Sequence, residues 1–506
     1  MSLRFAGVHA VLLLRRELGR IRRPLTRLVA AVGLVQVLQG CTMTPHYQRP
    51  AMPVSSTFPG TNTPGSAGTS PGIESKPAVD IGWREFFADS RLQRLIGIAL
   101  ANNRDLQLAV LNVEASRAQY QITRAQLFPT LDAVASDTRT RTPQFLSFPG
   151  FPSAYSEYQV GVSASWELDF WGRVRSLKEQ ALAQYLSTAQ ARKAAQISLV
   201  SQVAEQYLTL QSYDDSLAIT RNTIDATKAS YKLTKLKFDM GSASELDVQE
   251  SLSALDQANA NLQAQLRLQA QARDALVLLL GEEIPADLPK GEPLTSQHLL
   301  ADVPAGVPSD LLTRRPDIMQ AEDQLIAANA NIGAARAAFF PRIALTGSYG
   351  TASLSLGDLF KPGTEIWSFM PQISLPIFEG GQNVANLHLA DVQKKIEIAQ
   401  YEKAIQTAFR EVADGLAARA TFDQQIVSLE GNVKAERRRY ELSSLRFQTG
   451  TEDYLSVLTA QTDLYSAQQS LLTARLARLI SLVDLYQYLG GGWIEHTGDV
   501  PRSADM

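Results

Sequence analysis

The stretch Phe238-Asp239-Met240-Gly241-Ser242-Ala243-Ser244-Glu245-Leu246-Asp247-Val248 is written a second time, 209 residues later, as Phe447-Gln448-Thr449-Gly450-Thr451-Glu452-Asp453-Tyr454-Leu455-Ser456-Val457. Each Phe, Gly, Leu and Val returns in register. A second phrase, Leu127-Phe128-Pro129-Thr130-Leu131, comes back as Phe339-Phe340-Pro341-Arg342-Ile343 at an offset of 212, and the same offset carries Asp105 onto Asp317. Self-similarity at a fixed spacing means that each copy is one structural unit stacked on the other. The chain therefore reads as a duplication before any local pattern is considered.

Working outward from the two glycines, the stretches before them, Arg173 to Phe238 and Gln382 to Phe447, contain no proline. If fully helical, each is about 100 Å long at 1.5 Å per residue. Apolar or small residues recur at spacings of three and four (Ile197, Val200, Ala204, Tyr207; Ile405, Ala408, Val412, Leu416), as in packed coiled-coil helices. Gly241 and Gly450 fit left-handed helix caps, and a shorter helix follows each of them (Glu245 to Leu280; Tyr454 to Leu489).

Upstream, one helix from Asp89 to Leu127 is expected to stop at Phe128-Pro129, because proline disfavours helical geometry in the residue before it. Phe340-Pro341 obeys the same rule. Beyond each Phe-Pro the period falls to two. From Tyr158 to Phe170 every even position is apolar or small and the odd ones read Gln159, Gly161, Ser163, Ser165, Glu167, Asp169, which predicts a strand with one apolar and one wet face. Ile343, Leu345 and Tyr349 alternate with Thr346 and Ser348. Trp367, Phe369, Ile373, Leu375 and Ile377 mark a further strand, and Thr130 to Arg141 is the weakest of the four. Thr142 to Glu157 and Leu354 to Ile366 read as loops. Each half thus offers short helix, β-hairpin, long helix, tight turn, short helix. Four strands cannot close a barrel, and an open edge is not tolerated in lipid, so a membrane reading demands several copies. Eight strands from two chains and twelve from three both satisfy that demand. A soluble sheet packed on a core shows the same alternation.

Residues 1–40 carry seven Arg and one Glu, so the formal charge of −3 leaves about −9 on the remainder, a poor balance for binding nucleic acid. The apolar run Leu28–Leu38 has the length of an export signal rather than of a membrane span. Leu38-Gln39-Gly40-Cys41 follows it, and Cys41 is the single cysteine, so no intramolecular disulfide can form. Those four residues resemble a bacterial lipobox, in which the cysteine is acylated and becomes the mature N-terminus. The other reading is an uncleaved anchor helix. The expected organisation is a signal peptide over 1–40, a lipidated extended arm rich in Pro, Gly, Ser and Thr over 41–80, a first repeat over 81–281, a connector over 282–308, a second repeat over 309–490 and a tail over 491–506.

Trp83-Arg84-Glu85-Phe86-Phe87-Ala88-Asp89-Ser90-Arg91-Leu92, Asn102-Asn103-Arg104-Asp105-Leu106, Trp166-Glu167-Leu168-Asp169-Phe170-Trp171-Gly172-Arg173 and Leu311-Leu312-Thr313-Arg314-Arg315-Pro316-Asp317-Ile318 resemble signatures of the TolC-like outer-membrane factors. The lipobox and the Arg-Arg-Pro-Asp phrase resemble the NodT-type lipoprotein subgroup. The resemblance implies an α+β membrane protein, mostly α, that forms a homotrimer. Its twelve-stranded β-barrel (four strands per chain) would sit in the bacterial outer membrane and continue as a long α-helical coiled-coil barrel in the periplasm. It implies a passive exit duct of a tripartite efflux system, fed by a proton-driven inner-membrane pump through a periplasmic adaptor. Thr42 after the cysteine favours the outer membrane by the same resemblance. No cofactor is expected beyond the lipid on Cys41.

In that family the turns at the far ends of the long helices meet the adaptor and close the tunnel. The resemblance makes Gly241, Ser242, Leu246, Gly450, Thr451 and Leu455 the candidate docking surface. Asp247, Arg446 and Asp453 are the gate candidates, and the exchange of Asp247 for Ser456 and of Ser244 for Asp453 makes the two turns electrostatically different in this reading. Arg314 to Asp317 reads as structural, with Pro316 and Asp317 suited to a helix start. An enzyme is not expected: the five histidines (His9, His46, His298, His388, His496) have no metal-ligand spacing, and no phosphate loop, nucleophile elbow or dinucleotide fingerprint occurs. The rival reading is a periplasmic adaptor or coiled-coil structural lipoprotein that spans no membrane.

Overall fold

The computed structural model describes residues 42–59, 76–143, 145, 153–297, 299–300 and 308–499. The leader and Cys41 lie outside the described residues. After a short helix α1 (Trp83–Phe86), Asp89 caps α2 (Ser90–Asn102) by accepting from the Arg91 and Leu92 amides at 2.7 and 3.4 Å. The single helix expected up to Leu127 is two: α2 stops at Asn103 and α3 (Arg104–Ala125) starts anew. Asn103 is extended (φ −61°, ψ 129°), its Oδ1 caps the Leu106 amide at 2.9 Å, and its Nδ2 donates to the Leu279 carbonyl at 2.9 Å. A polar side chain that both caps and cross-links makes the break favourable. The second repeat breaks at the equivalent residue, Arg315, between α6 (Leu311–Arg314) and α7 (Pro316–Ala337).

The strands are β1 (Thr130–Arg141), β2 (Ala154–Leu168), β3 (Arg342–Ser353) and β4 (Glu365–Ser374), paired antiparallel in the order β1-β2-β3-β4. β1, the weakest on sequence, pairs along its whole length, from Thr130 opposite Ser165 to Arg141 opposite Ala154. β2 pairs with β3, so the hairpins of the two repeats form one sheet. The register aligns like with like across all four strands. Ala133, Val162, Tyr349 and Trp367 form one row, and Asp132, Ser163, Ser348 and Ser368 form the next, on the opposite face. The Ser348 and Ser368 hydroxyls hydrogen-bond at 2.7 Å.

Four strand ends differ from expectation. β2 begins at Ala154, inside the expected loop, and it ends at Leu168 because the Asp169 carboxylate turns back to accept from the Val174 and Arg175 amides at 3.0 and 2.9 Å. β4 begins at Glu365, taking the last two residues of its expected loop, and ends at Ser374, leaving Leu375 and Ile377 beyond the sheet. β4 also holds Pro371, which has no amide to donate and sits opposite Leu345 of β3.

The remaining helices are α4 (Arg173–Asp239), α5 (Glu245–Leu280), α8 (Gln382–Gln448) and α9 (Tyr454–Tyr488). α4 and α8 have 67 residues each, as the duplication requires. The chain forms two compact units that cut across the repeats. One takes the described part of Met1–Arg49 with Ser116–Tyr185 and Gln324–Glu397, and so holds all four strands. In it Glu167 receives Arg173 at 2.9 Å and Arg342 at 2.6 Å, and Trp171 stacks on Phe340. The other takes the described parts of Pro50–Ala115, Leu186–Asp323 and Ile398–Met506. There the predicted seams are buried: Ile197, Val200, Ala204 and Tyr207 on α4 and Ile405, Ala408 and Val412 on α8, with Leu416 half-buried. Tyr486 of α9 stacks flat on Phe86 at 3.9 Å and donates to the Ile81 carbonyl at 2.6 Å. No described helix is long and apolar enough to cross a membrane, a statement that bears on helices alone.

Candidate functional site: the paired turns at Gly241 and Gly450

The two turns have one backbone geometry. Gly241 and Gly450 adopt φ of +74° and +78°, a region that residues with a Cβ rarely enter. In each, the glycine amide donates to the phenylalanine three residues back (Phe238, Phe447). The next amide, of Ser242 or Thr451, donates to the Lys237 or Arg446 carbonyl at 2.8 and 2.9 Å. This is the double-bonded helix stop in which a left-handed residue folds the chain back onto the last turn's orphan carbonyls. The Ser242 and Thr451 hydroxyls add a bond to the same two carbonyls, each at 3.0 Å.

The expectation that the turns differ electrostatically at their caps is corrected here. Ser244 caps α5, its Oγ accepting from the Asp247 amide at 3.1 Å while the Asp247 carboxylate accepts from the Ser244 amide at 2.9 Å and hydroxyl at 2.8 Å. In the second turn the partners trade places. Asp453 is the cap, accepting from the Ser456 amide at 3.1 Å and hydroxyl at 2.9 Å. Each cap therefore contains one Asp and one Ser in mutual contact, and the exchanges cancel in charge. Arg446 pairs with Glu452 at 3.0 Å, not with Asp453.

All six docking candidates are exposed. Leu246 and Leu455 are 66% and 53% exposed beside the exposed Gly241, Ser242, Gly450 and Thr451. Residues outside the docking and gate candidates hold the turns in place. Lys237, the counterpart of Arg446, lies 4.0 Å from the Phe447 ring centroid and donates to the Phe447 carbonyl, tying the end of α4 to the end of α8. Phe447 and Tyr454 then pack with Val457 in a small core that Leu233, Tyr440 and Leu458 enclose. The available signal was a basic residue at both 237 and 446, one position before each Phe. Arg315, from the phrase read as structural, forks onto Asp317 at 2.6 and 3.0 Å and pairs with Glu411 at 2.8 Å. Among the described residues no group of three or more His, Cys, Asp or Glu is placed to hold a metal ion.

Comparison with known proteins agrees with this architecture. The family described as Outer membrane efflux protein matches residues 95–282 and 307–491, one segment for each repeat. The probable efflux pump outer membrane protein TtgC of Pseudomonas putida is 47% identical over 93% of this chain and 96% of its own length. The outer membrane protein OprJ of Pseudomonas aeruginosa is 42% identical over 92% of the chain and 96% of its own length. The open-state crystal structure of the MtrE outer membrane channel of Neisseria gonorrhoeae superposes with a TM-score of 0.80 at 40% identity, covering 91% of this chain and 100% of that one. With both repeats matched and these relatives covered almost end to end, the chain belongs to the outer membrane efflux protein family.

Proposed function

We propose that three copies of this chain close a twelve-stranded barrel in the outer membrane and serve as the passive exit duct of a tripartite efflux system. The single observation that carries this reading is the sheet. Its four strands form one register with an apolar face and a polar face, and β1 and β4 have no further strand partner among the described residues. In lipid both edges must be paired, which requires other copies of the same sheet. Three copies place the row of Asp132, Ser163, Ser348 and Ser368 on a lumen wide enough for water. The duct carries no energy source of its own, so a proton-driven inner-membrane pump delivers small organic molecules to it through a periplasmic adaptor. Acylation of Cys41 anchors the mature chain to the outer membrane, as the lipobox resemblance implies.

The adaptor docks on the turns around Gly241 and Gly450, where Ser242, Leu246, Thr451 and Leu455 are offered to solvent. A photoactivatable crosslinker on Ser242→Cys or Thr451→Cys, with Cys41 retained, should capture one periplasmic protein with a long helical hairpin. Capture of that protein from the strand-loop position Leu354→Cys instead, with none from either turn, would place docking elsewhere.

A further inference from the structure

The two repeats meet along one junction inside the chain, and the matching surfaces on their outer sides are exposed. At the junction β2 pairs with β3, with Tyr158 opposite Ser353 and Leu168 opposite Ile343. In the same unit α4 closes on α7: Ser176 is buried, and its hydroxyl lies 2.6 Å from where a Cβ on Gly333 would stand. Ala334, the next residue, is buried as well. The duplication gives each of these residues a counterpart, 209 positions on for Ser176 and 212 back for Gly333 and Ala334. The counterparts are Ala385 on α8 and Gln121 and Ile122 on α3, and all three are exposed. In the sheet, the apolar alternation of β4 runs on past Ser374 to Ile377, which is 92% exposed, and Leu131 of β1 is 72% exposed.

The pairing that covers these surfaces is written in the chain itself. Offsets of 212 for β1 onto β3 and 209 for β2 onto β4 carry Thr130 opposite Ser165 onto Arg342 opposite Ser374, and Arg139 opposite Ser156 onto Thr351 opposite Glu365, all of them observed pairs. The same offsets applied to the junction give β4 a partner in β1 of another copy. Leu168 opposite Ile343 becomes Ile377 opposite Leu131 (168 + 209; 343 − 212), and Tyr158 opposite Ser353 becomes Trp367 opposite Arg141 (158 + 209; 353 − 212). Between them Ile373 and Leu375 fall opposite Ala135 and Ala133. Odd positions meet odd ones, so the face that holds Trp367 and Ala133 in one chain stays on one side across the seam. A slide of two residues keeps the faces, but it puts Ile377 opposite Pro129 in one direction and Leu131 opposite Glu379 in the other.

We propose that neighbouring copies meet as the two repeats do, residue for residue: β4 pairs with β1 of the next copy with Ile377 opposite its Leu131, and α8 lies against α3 of the next copy with Ala385 at its Gln121. This rests on the trimeric barrel proposed above and specifies the surface that closes it. β4 thereby lengthens from Ser374 to Ile377, and the backbone groups along the outer edges of β4 and β1 gain partners. The seam also carries a chemistry that the internal junction lacks. Trp367 and Phe369 face Arg141 and Arg139 of the next copy, where β2 and β3 have Tyr158 with Ser353 and Val160 with Thr351. A guanidinium against an aromatic ring strengthens the contact between copies.

Disulfide trapping in the assembled, detergent-solubilised protein, with Cys41 retained, tests the register. Ser368 falls opposite Thr140 of the next copy, the counterpart of Gln159 opposite Ala352. A disulfide needs Cβ atoms about 4 Å apart, which directly opposite residues approach and diagonal ones, at about 7 Å, do not. Ser368→Cys with Thr140→Cys should therefore oxidise to covalently linked copies about tenfold faster than Ser368→Cys with either Thr138→Cys or Thr142→Cys. Faster bonding at position 138 or 142 overturns the carried register while the barrel stands. A trimer by native mass that bonds at none of the three overturns the seam, and an unmodified chain that stays monomeric overturns the barrel with it. Should the strand variants not assemble, Gln121→Cys with Ala385→Cys decides. That pair should link one copy to the next, and assembled protein that stays unlinked refutes the proposal.

Discussion

Phe238 and Phe447 occupy the same place in the two repeats, yet Phe447 is 7% exposed and Phe238 is 41% exposed. The difference lies seven residues on, where the second repeat has Tyr454 and the first has Glu245. Tyr454 meets the Phe447 ring edge-on at 5.6 Å and closes a small core, whereas Glu245 has no ring to offer. Phe238, Met240 and Leu246 remain apolar surface beside the first turn. Phe447→Ala should therefore cost about 3–5 kcal/mol, as for a buried aromatic, and Phe238→Ala well under half of that. Urea unfolding followed by the helical signal measures both. If Phe238 belongs to the docking surface, its alanine variant should lose adaptor crosslinking at nearly unchanged stability.

The reversed cap pairs make a second prediction. Ser244→Ala and Asp453→Ala should each cost about 1 kcal/mol of local helix stability, read as faster amide exchange in the first turn of α5 or α9. The exchanged pair Ser244→Asp with Asp247→Ser reproduces the arrangement found at Asp453 and Ser456, so it should restore protection to that of the unmodified protein.

Gly281 and Gly490 end the two short helices with φ of +74° and +84°, and a Cβ there would lie 2.5 Å from the Asn102 carbonyl oxygen and 2.7 Å from that of Arg314. A Cβ on Gly241 or Gly450 meets nothing within 4 Å. Alanine at the turns should cost about 1–2 kcal/mol from backbone strain alone, and alanine at Gly281 or Gly490 distinctly more because the facing helix end must also move apart. Thermal unfolding of the four variants should rank them in that order.

Removing one partner of a buried, paired charge costs more than removing a neutral cap. Arg315→Met leaves Asp317 and Glu411 without their cation and should destabilise by about 3–5 kcal/mol, against about 1–3 kcal/mol for Asn103→Ala. Chemical denaturation of both variants at pH 7.5 checks the difference.

Much of this fold was legible because each decisive signal was local and appeared twice. Phe-Pro marked both helix-to-strand changes, and Phe-x-x-Gly marked both turns. The even-position apolar run from Tyr158 to Leu168 set the faces of the sheet. What escaped the sequence were side chains acting across long separations. Nothing near Asn103 announces that it will reach Leu279, and the basic residue shared by positions 237 and 446 does not say that Lys237 will reach the Phe447 carbonyl. The divergence of Asp247 and Ser456 was misread because a cap is a pair, and only the contact of Ser244 with Asp247 and of Asp453 with Ser456 reveals the exchange as conservative. The strand ends were misplaced for a similar reason, since Asp169 continues the alternation but is drawn away to cap α4.

The central claim is that three copies of one sheet close a conducting barrel. Its most direct test is the native mass of the detergent-purified protein together with its conductance in a planar lipid bilayer. The account predicts three chains and discrete, voltage-tolerant conductance steps. A monomer, or a two-chain particle, or any assembly that leaves the bilayer insulating would contradict it.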